Sequence, residues 1–357
     1  MSDPVVAERR IPLVASLRMS IQQIDESERV VQADAYGDAS TAELLVQQVR
    51  LEAEDIISIE LTTVDGAVLP EWEPGAHLDV FLASGLIRQY SLCGATADRT
   101  RYRIAVLREL EGRGGSAELH RDIRVGARVK VGRPRNHFRI PEAAGYLCIA
   151  GGVGVTPILS VVEDATTRGV PCRLVYGGRS RRSMSFVEEL QALLPEPAVD
   201  LVPQHDRGLI DLAGEVAALP DGWVICACGP GPMLTALETA CNAAGLRDRL
   251  VVERFTADED LEAQLAGAEN RPVTVELARS GVTVEVAADQ SILQAVQDIA
   301  PVLSSCTEGY CGTCETRVLK GIPEHRDTVL SDEERASNEI MMVCVSRALT
   351  PDLTLDL

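Results

Sequence analysis

Four cysteines near the C-terminal end carry the sharpest chemical signal. Cys306, Cys311 and Cys314 stand at C-x4-C-x2-C spacing in SSCTEGYCGTCET, and Cys344 follows in MMVCVSRA. Four thiolates so spaced suit a plant-type [2Fe-2S] cluster; a zinc site, the alternative, generally uses paired C-x2-C knuckles. Gly309 and Gly312 suit a loop that must turn tightly and aim N–H groups at sulfur.

A second constellation is Arg88-Gln89-Tyr90-Ser91-Leu92, after a strand. Alternation puts Arg88, Tyr90 and Leu92 on one strand face. An arginine fork for a phosphate, a ring to lie beside an aromatic system and the Ser91 hydroxyl for its polar edge would hold a flavin. Standing alone, the run also reads as a surface arginine and a half-buried tyrosine on an ordinary strand.

The third is Gly151-Gly152-Val153-Gly154-Val155-Thr156-Pro157, between a strand and a helix, where a cofactor pyrophosphate could approach the helix N-terminus. Pro157 suits a first helical turn. The pattern departs from G-x-G-x-x-G, with proline at the last small position and no acid ending the next strand. Its plainer explanation is a tight turn that needs glycine for packing.

The elements that position these residues fall into three textures. From Leu44, short alternating segments (Ile56 to Leu61, His77 to Leu82, Tyr102 to Leu107, Arg128 to Val131) are separated by turns such as Asp65-Gly66 and Pro74-Gly75, which predicts an antiparallel barrel or sandwich. From Tyr146 a strand (to Ala150), a helix (Pro157 to Thr167), a strand (Cys172 to Tyr176) and further alternation through Glu253 predict a parallel sheet with helices on its faces. Residues 256–271 are polar and read as a tether, and 272–357 open on the alternating VTVELARSGVTVEV before the cysteine cluster. Residues 1–42 read as a loosely attached extension without an assigned role.

Composition bounds the function. The 357 residues exceed one small domain, and 46% hydrophobic with 25% charged residues is ordinary globular composition. A net charge of −20 disfavours nucleic-acid binding, and residues 272–357, with 14 acids and 6 bases, carry −8 of it, suiting a basic protein partner. The apolar stretch Tyr146 to Val162 is interrupted by Gly151, Gly152, Gly154, Thr156 and Pro157, and falls short of the roughly 20 residues that a membrane helix needs. The start MSDPVVAERR lacks secretory features, so a cytoplasmic location is expected and ten cysteines then suggest metal chemistry or buried thiols.

With CTEGYCGTCETRVLKGIPEHRDTVLS and MMVCVSRA, the chain resembles the phthalate dioxygenase reductase family over residues 44 to 357. The resemblance implies three domains: an antiparallel β-barrel flavin domain (43–143), an α/β parallel-sheet nucleotide domain (144–255) and an α+β ferredoxin-like (β-grasp) domain (272–357), with Cys306, Cys311, Cys314 and Cys344 as cluster ligands. Arg88, Gln89, Tyr90, Ser91 and Leu92 then match the family's R-x-Y-S flavin motif. Gly112-Arg113-Gly114-Gly115-Ser116 supplies the second element, with Gly114, Gly115 and Ser116 at the flavin phosphate, and Val106 and Arg108 are assigned to the same site. No extra aromatic element for an adenine is evident, which favours FMN over FAD.

In the nucleotide domain the resemblance assigns Gly152, Gly154, Thr156 and Pro157 to the dinucleotide, and Arg179 and Ser180 to the region of its ribose. NADH is favoured, although Gly178-Arg179-Ser180-Arg181-Arg182 could instead pair the extra phosphate of NADPH or form a solvated turn. Cys228-Gly229-Pro230 matches the family's C-G-P motif, with Cys228 beside the nicotinamide; Cys228 and Ser91 are the expected catalytic pair. Phe255 is a candidate to stack near the flavin, or a core residue. Cys226, Cys93, Cys148, Cys172 and Cys241 read as buried thiols, and His77 as structural.

The implied function is the reductase component of a two-component Rieske-type oxygenase, moving electrons from NADH through FMN and the cluster to the oxygenase. A reductase serving a cytochrome P450 and a non-enzymatic iron-sulfur redox sensor are the alternatives.

Overall fold

In a computed structural model, residues 34–37, 40–109, 111–256 and 270–357 are described. Most of the expected extension and nearly all of the expected tether lie outside these residues.

Short β-rich segments pair into a six-stranded antiparallel sheet: β1 (Thr41–Ala53), β2 (Ile56–Thr62), β3 (His77–Phe81), β4 (Ile87–Ser91), β5 (Arg101–Leu107) and β6 (Arg128–Gly132), in order β4-β3-β6-β1-β2-β5. Register shifts in β1, between Val46 and Gln48 and between Leu51 and Ala53, bend the sheet, and a single bridge, Leu92 to Ile104, joins its two edges. Leu44, Val46, Ile59, Leu61, Leu78, Val80 and Val131 fill the interior. The chain reaches this sheet earlier than expected. Tyr36 is buried, its hydroxyl donates to the Gly132 carbonyl at 2.8 Å, and Asp34 pairs with Arg133 at 2.8 Å.

The second sheet is parallel, with β7 (Gly145–Gly151), β8 (Cys172–Gly178), β9 (Val199–Pro203), β10 (Trp223–Cys228) and β11 (Leu250–Glu253) in order β11-β10-β7-β8-β9. Every residue of β7 is buried, as a central strand covered on both faces requires. One face packs on the helix Val155–Thr167 and the other on the helix Gly231–Ala244. The strand order reverses between β7 and β10, which brings Gly151–Gly154 against Cys228–Pro230 at the carboxyl edge, where open α/β sheets bind ligands.

The third sheet is mixed: β12 (Val273–Leu277), β13 (Val282–Val286), β14 (Glu315–Lys320), β16 (Ile340–Met342) and β18 (Asp352–Leu355) in order β13-β12-β18-β14-β16, with β15 (Pro323–Glu324) and β17 (Arg347–Ala348) as a separate pair. The helix Ile292–Val296, started by a reciprocal Ser291/Gln294 capping box, buries Ile292, Leu293 and Val296 in its core. The described residues form one compact unit. No helix among the described residues is long and apolar enough to cross a membrane.

Candidate functional site

The three sheets meet around a cavity of about 690 Å³. Arg88, Gln89, Tyr90, Ser91, Gly115 and Ser116 line it from the first sheet, Val153, Thr156, Glu253 and Phe255 from the second, and Ser305, Tyr310 and Cys311 from the third.

Arg88 to Ser91 lie on β4 itself, not after a strand, and pair with β3 in the register Ser91 to His77 and Tyr90 to Leu78. Arg88 rests on Gly115, where an added Cβ would come within 2.7 Å of its side chain. Gly115 opens the helix α1 (Gly115–Asp122), and its N-cap, Gly114, offers no side chain to the first amides. An uncapped helix start beside a guanidinium favours an anion. Ser91 Oγ is buried without a hydrogen-bond partner.

Several expected flavin residues have side chains already engaged within the protein. Leu92 and Val106 are fully buried in the first core, so their side chains are packing groups, and the Arg108 guanidinium is paired with Asp55. Gln89 lies on the opposite strand face from Arg88 and Tyr90. Its amide donates to Asp79 at 2.6 Å and Thr313 at 2.7 Å and accepts from Ser305 at 2.9 Å.

At the parallel sheet, the packing explanation of the glycines accounts for part of the motif. A Cβ on Gly154 would stand 2.4 Å from the Cys228 carbonyl, while Gly152 has φ +56° and open space beside it. Thr156 lines the cavity and donates to the Val153 carbonyl at 3.0 Å, and Pro157 is the third residue of the helix that begins at Val155. Cys228 is wholly enclosed and does not line the cavity; burial, then the nearby Glu253 carboxyl, pushes its thiol well above the ordinary range. Gly229 and Pro230 pack on Gly151. Arg179 is exposed and Ser180 caps the turn Arg181–Ser183, both away from the cavity.

Two titratable features went unassigned in the sequence. Glu253 lines the cavity with Oε2 enclosed and unpartnered, and burial pushes its carboxyl up to about 8. His77 and His137 also line the cavity, ring centroids 5.6 Å apart, and burial lowers both, His137 to about 4, so both are neutral near pH 7.

Cys306, Cys311, Cys314 and Cys344 are all buried. Their proximity to one another holds Cys306 and Cys314 below the ordinary thiol range and pushes Cys311 and Cys344 above it. Among the described residues no three His, Cys, Asp or Glu side chains close around a single-ion point. Four enclosed cysteines at this spacing have the donor chemistry to hold an iron-sulfur cluster. Gly309 has φ +79° and Gly312 φ +72°; a Cβ on Gly312 would lie 2.4 Å from His137 Nε2.

The links between lobes were the least visible in sequence. Arg113 donates to the Cys306 carbonyl at 2.6 Å and to the Tyr310 hydroxyl at 3.0 Å, and Ser305 donates to the Ile87 carbonyl at 2.6 Å. Partners some 200 residues apart leave no local pattern; the two-residue spacings that periodicity reads stop at the strand.

A family described as a 2Fe-2S iron-sulfur cluster binding domain matches residues 275–349, and one described as an oxidoreductase NAD-binding domain matches residues 148–239. The fold and site thus define an NAD(P)H-dependent flavin and iron-sulfur oxidoreductase. The chain is 43% identical to the phenoxybenzoate dioxygenase subunit beta of Ectopseudomonas oleovorans over 90% of its own length and 99% of that protein, and 39% identical to a vanillate O-demethylase oxidoreductase of Pseudomonas sp. (strain HR199 / DSM 7063) over 88% and 99%. Among solved structures it is similar to phthalate dioxygenase reductase, with 35% identity, TM-score 0.64 and coverage of 89% of this chain and 98% of that one. It is also similar to an intact type IV self-sufficient cytochrome P450 monooxygenase, with 39% identity and TM-score 0.80; 89% of this chain is covered, but the match spans only 41% of that protein. The chain belongs to the phthalate dioxygenase reductase family.

Proposed function

We propose that this chain is the reductase component of a two-component oxygenase, drawing electrons from NADH through FMN and a [2Fe-2S] cluster and delivering them to a Rieske-type non-haem iron partner. The observation that carries the reading is one cavity bounded by Ser91, Phe255 and Cys311, one residue from each lobe.

When bound, the flavin takes an electron pair from the nicotinamide and the cluster hands electrons on singly. The chain supplies position and electrostatics. Arg88 and the open start of α1 would hold the flavin phosphate. Tyr90 would lie beside the ring system, and the unpartnered Ser91 Oγ has a hydrogen bond to give its polar edge. Thr156 and Gly152 would receive the dinucleotide, Phe255 would exclude water, and Glu253, protonated at neutral pH, would offer a donor rather than a charge. Cys306, Cys311, Cys314 and Cys344 would hold the cluster.

In this reading residues 43–143 act as the flavin barrel, 144–255 as the nucleotide domain and 272–357 as the ferredoxin-like domain, working in the cytoplasm, where the ten cysteines, all free, would stay reduced. The −8 balance of 272–357 would steer a basic acceptor face.

The similarity to a self-sufficient P450 monooxygenase favours one second reading, a cytochrome P450 as acceptor. Anaerobic NADH titration of the purified protein, followed by absorption and electron paramagnetic resonance, tests the chain of carriers. Reconstitution with each class of oxygenase decides the acceptor. A flavin- and cluster-loaded sample that turns over no NADH with cytochrome c would sink the reading and leave a sensor.

A further inference from the structure

The flavin strand and the cluster loop share a polar seam that neither cofactor motif explains. At its centre is Arg135, three residues after β6 and outside the cavity lining. Its backbone is pinned to the start of β3 in both directions: His77 N–H donates to the Arg135 carbonyl at 2.8 Å and Arg135 N–H to the His77 carbonyl at 3.0 Å. His77 is in turn the register partner of Ser91. The guanidinium is therefore referenced to the strand pair that carries the candidate flavin residues.

From that fixed base the fork reaches two ways. One arm donates to both Asp79 oxygens, at 2.8 and 2.7 Å, and the other to the Gly312 carbonyl at 2.8 Å, inside the loop between Cys311 and Cys314. The Asp79 side chain is 8% exposed and that of Arg135 29%, so these charge-assisted bonds are largely screened from water. Asp79 and Gln89 both reach Thr313, which closes the seam on the next residue of the loop. Only a planar fork can hold a carboxylate and a carbonyl in one fixed geometry; a lysine cannot.

We propose that Arg135 is a positioning residue for transfer between the two cofactors, setting the distance and register of the cluster loop relative to the flavin strand. The inference rests on the functional reading above. It predicts that loosening the Arg135 side chain leaves the nicotinamide-to-flavin step alone, because that side chain reaches Asp79, Gly312 and Thr313 and none of the lining residues Val153, Thr156, Glu253 and Phe255, while its backbone bonds to His77 survive substitution. The following step slows, because electron transfer falls steeply with separation.

The test uses the full-length, flavin- and iron-loaded protein, mixed anaerobically with NADH in a stopped-flow instrument, as wild type, Arg135→Met and Arg135→Lys. Flavin bleaching should keep its wild-type rate in both variants. Cluster bleaching should slow by about tenfold or more in Arg135→Met, the scale of an ångström-level misplacement. Arg135→Lys, which keeps the charge against Asp79 but loses the bridge to Gly312, should fall between. Hydrogen exchange over residues 306–314 should quicken in the same order while the reduced-cluster resonance spectrum stays unchanged. Unchanged cluster bleaching and unchanged exchange would overturn the proposal; if Arg135→Met does not fold, the same outcome in Arg135→Lys overturns it. A wild type that fails to bleach flavin and then cluster would instead defeat the functional reading, while the exchange measurement still judges the positioning role separately.

Discussion

Cys228 and Glu253 are register partners across the parallel strands β10 and β11, at the sheet edge where the strand order reverses. The thiol is enclosed and kept protonated by burial and by its neighbour, while the carboxyl faces the cavity with one oxygen unpartnered. Cys228 is thus enclosed within the sheet, and Glu253 is the member of the pair that faces the cavity.

Glu253 makes stability depend on pH. Its ordinary value of 4.5 applies to the unfolded chain and about 8 to the folded one, so between these values only the unfolded chain releases the proton. Stability contributed by this group therefore falls as pH rises from 4.5 to 8. In urea titrations at pH 5 and pH 8, Glu253→Gln should remove part of that loss; an identical pH dependence in both proteins would show that the carboxyl is not held neutral.

Cys311→Ser should abolish acceptor reduction yet leave NADH-driven flavin bleaching intact, because Cys311 lies on the cluster side of the cavity. Loss of flavin bleaching in a folded, flavin-loaded variant would reverse the proposed order of carriers.

Gly312→Ala meets two obstacles, a left-handed φ and His137 Nε2 at 2.4 Å. The strain amounts to about 1–3 kcal/mol, and iron content per chain should drop with it. Full iron loading at an unchanged melting temperature would mean that the loop relaxes freely.

Arg103 clasps Glu189 through two bonds, at 2.6 and 3.1 Å, and lies over the Phe186 ring at 5.2 Å, joining β5 to the helix Val187–Leu193. Arg103→Ala should cost about 2 kcal/mol, the scale of hydrogen bonds to charged groups. Glu189→Gln should cost less, since it keeps one acceptor. Thermal denaturation of the loaded protein reads both.

What was legible in the sequence followed local rules. Ligand spacing marked Cys306 to Cys344, and alternation put Arg88 and Tyr90 on one strand face. The same rule set Gln89 on the other face, and only the third sheet, lying there, shows why: its amide is spent on Asp79, Thr313 and Ser305. Leu92 follows the alternation but lies past the strand end, where the bridge to Ile104 draws it into the core. Arg135 could not be found at all, because its partner Gly312 is 177 residues away and neither belongs to a motif with the other.

The docking of Tyr36 on the end of β6 changes where this protein can be shortened. Trimming to residue 43 would remove a buried ring, the hydroxyl that satisfies the Gly132 carbonyl and the carboxylate beside Arg133, and would shorten β1 by two residues. The cut would open a wet, apolar hollow in the wall of the first lobe. A shortened reductase should therefore start no later than Asp34.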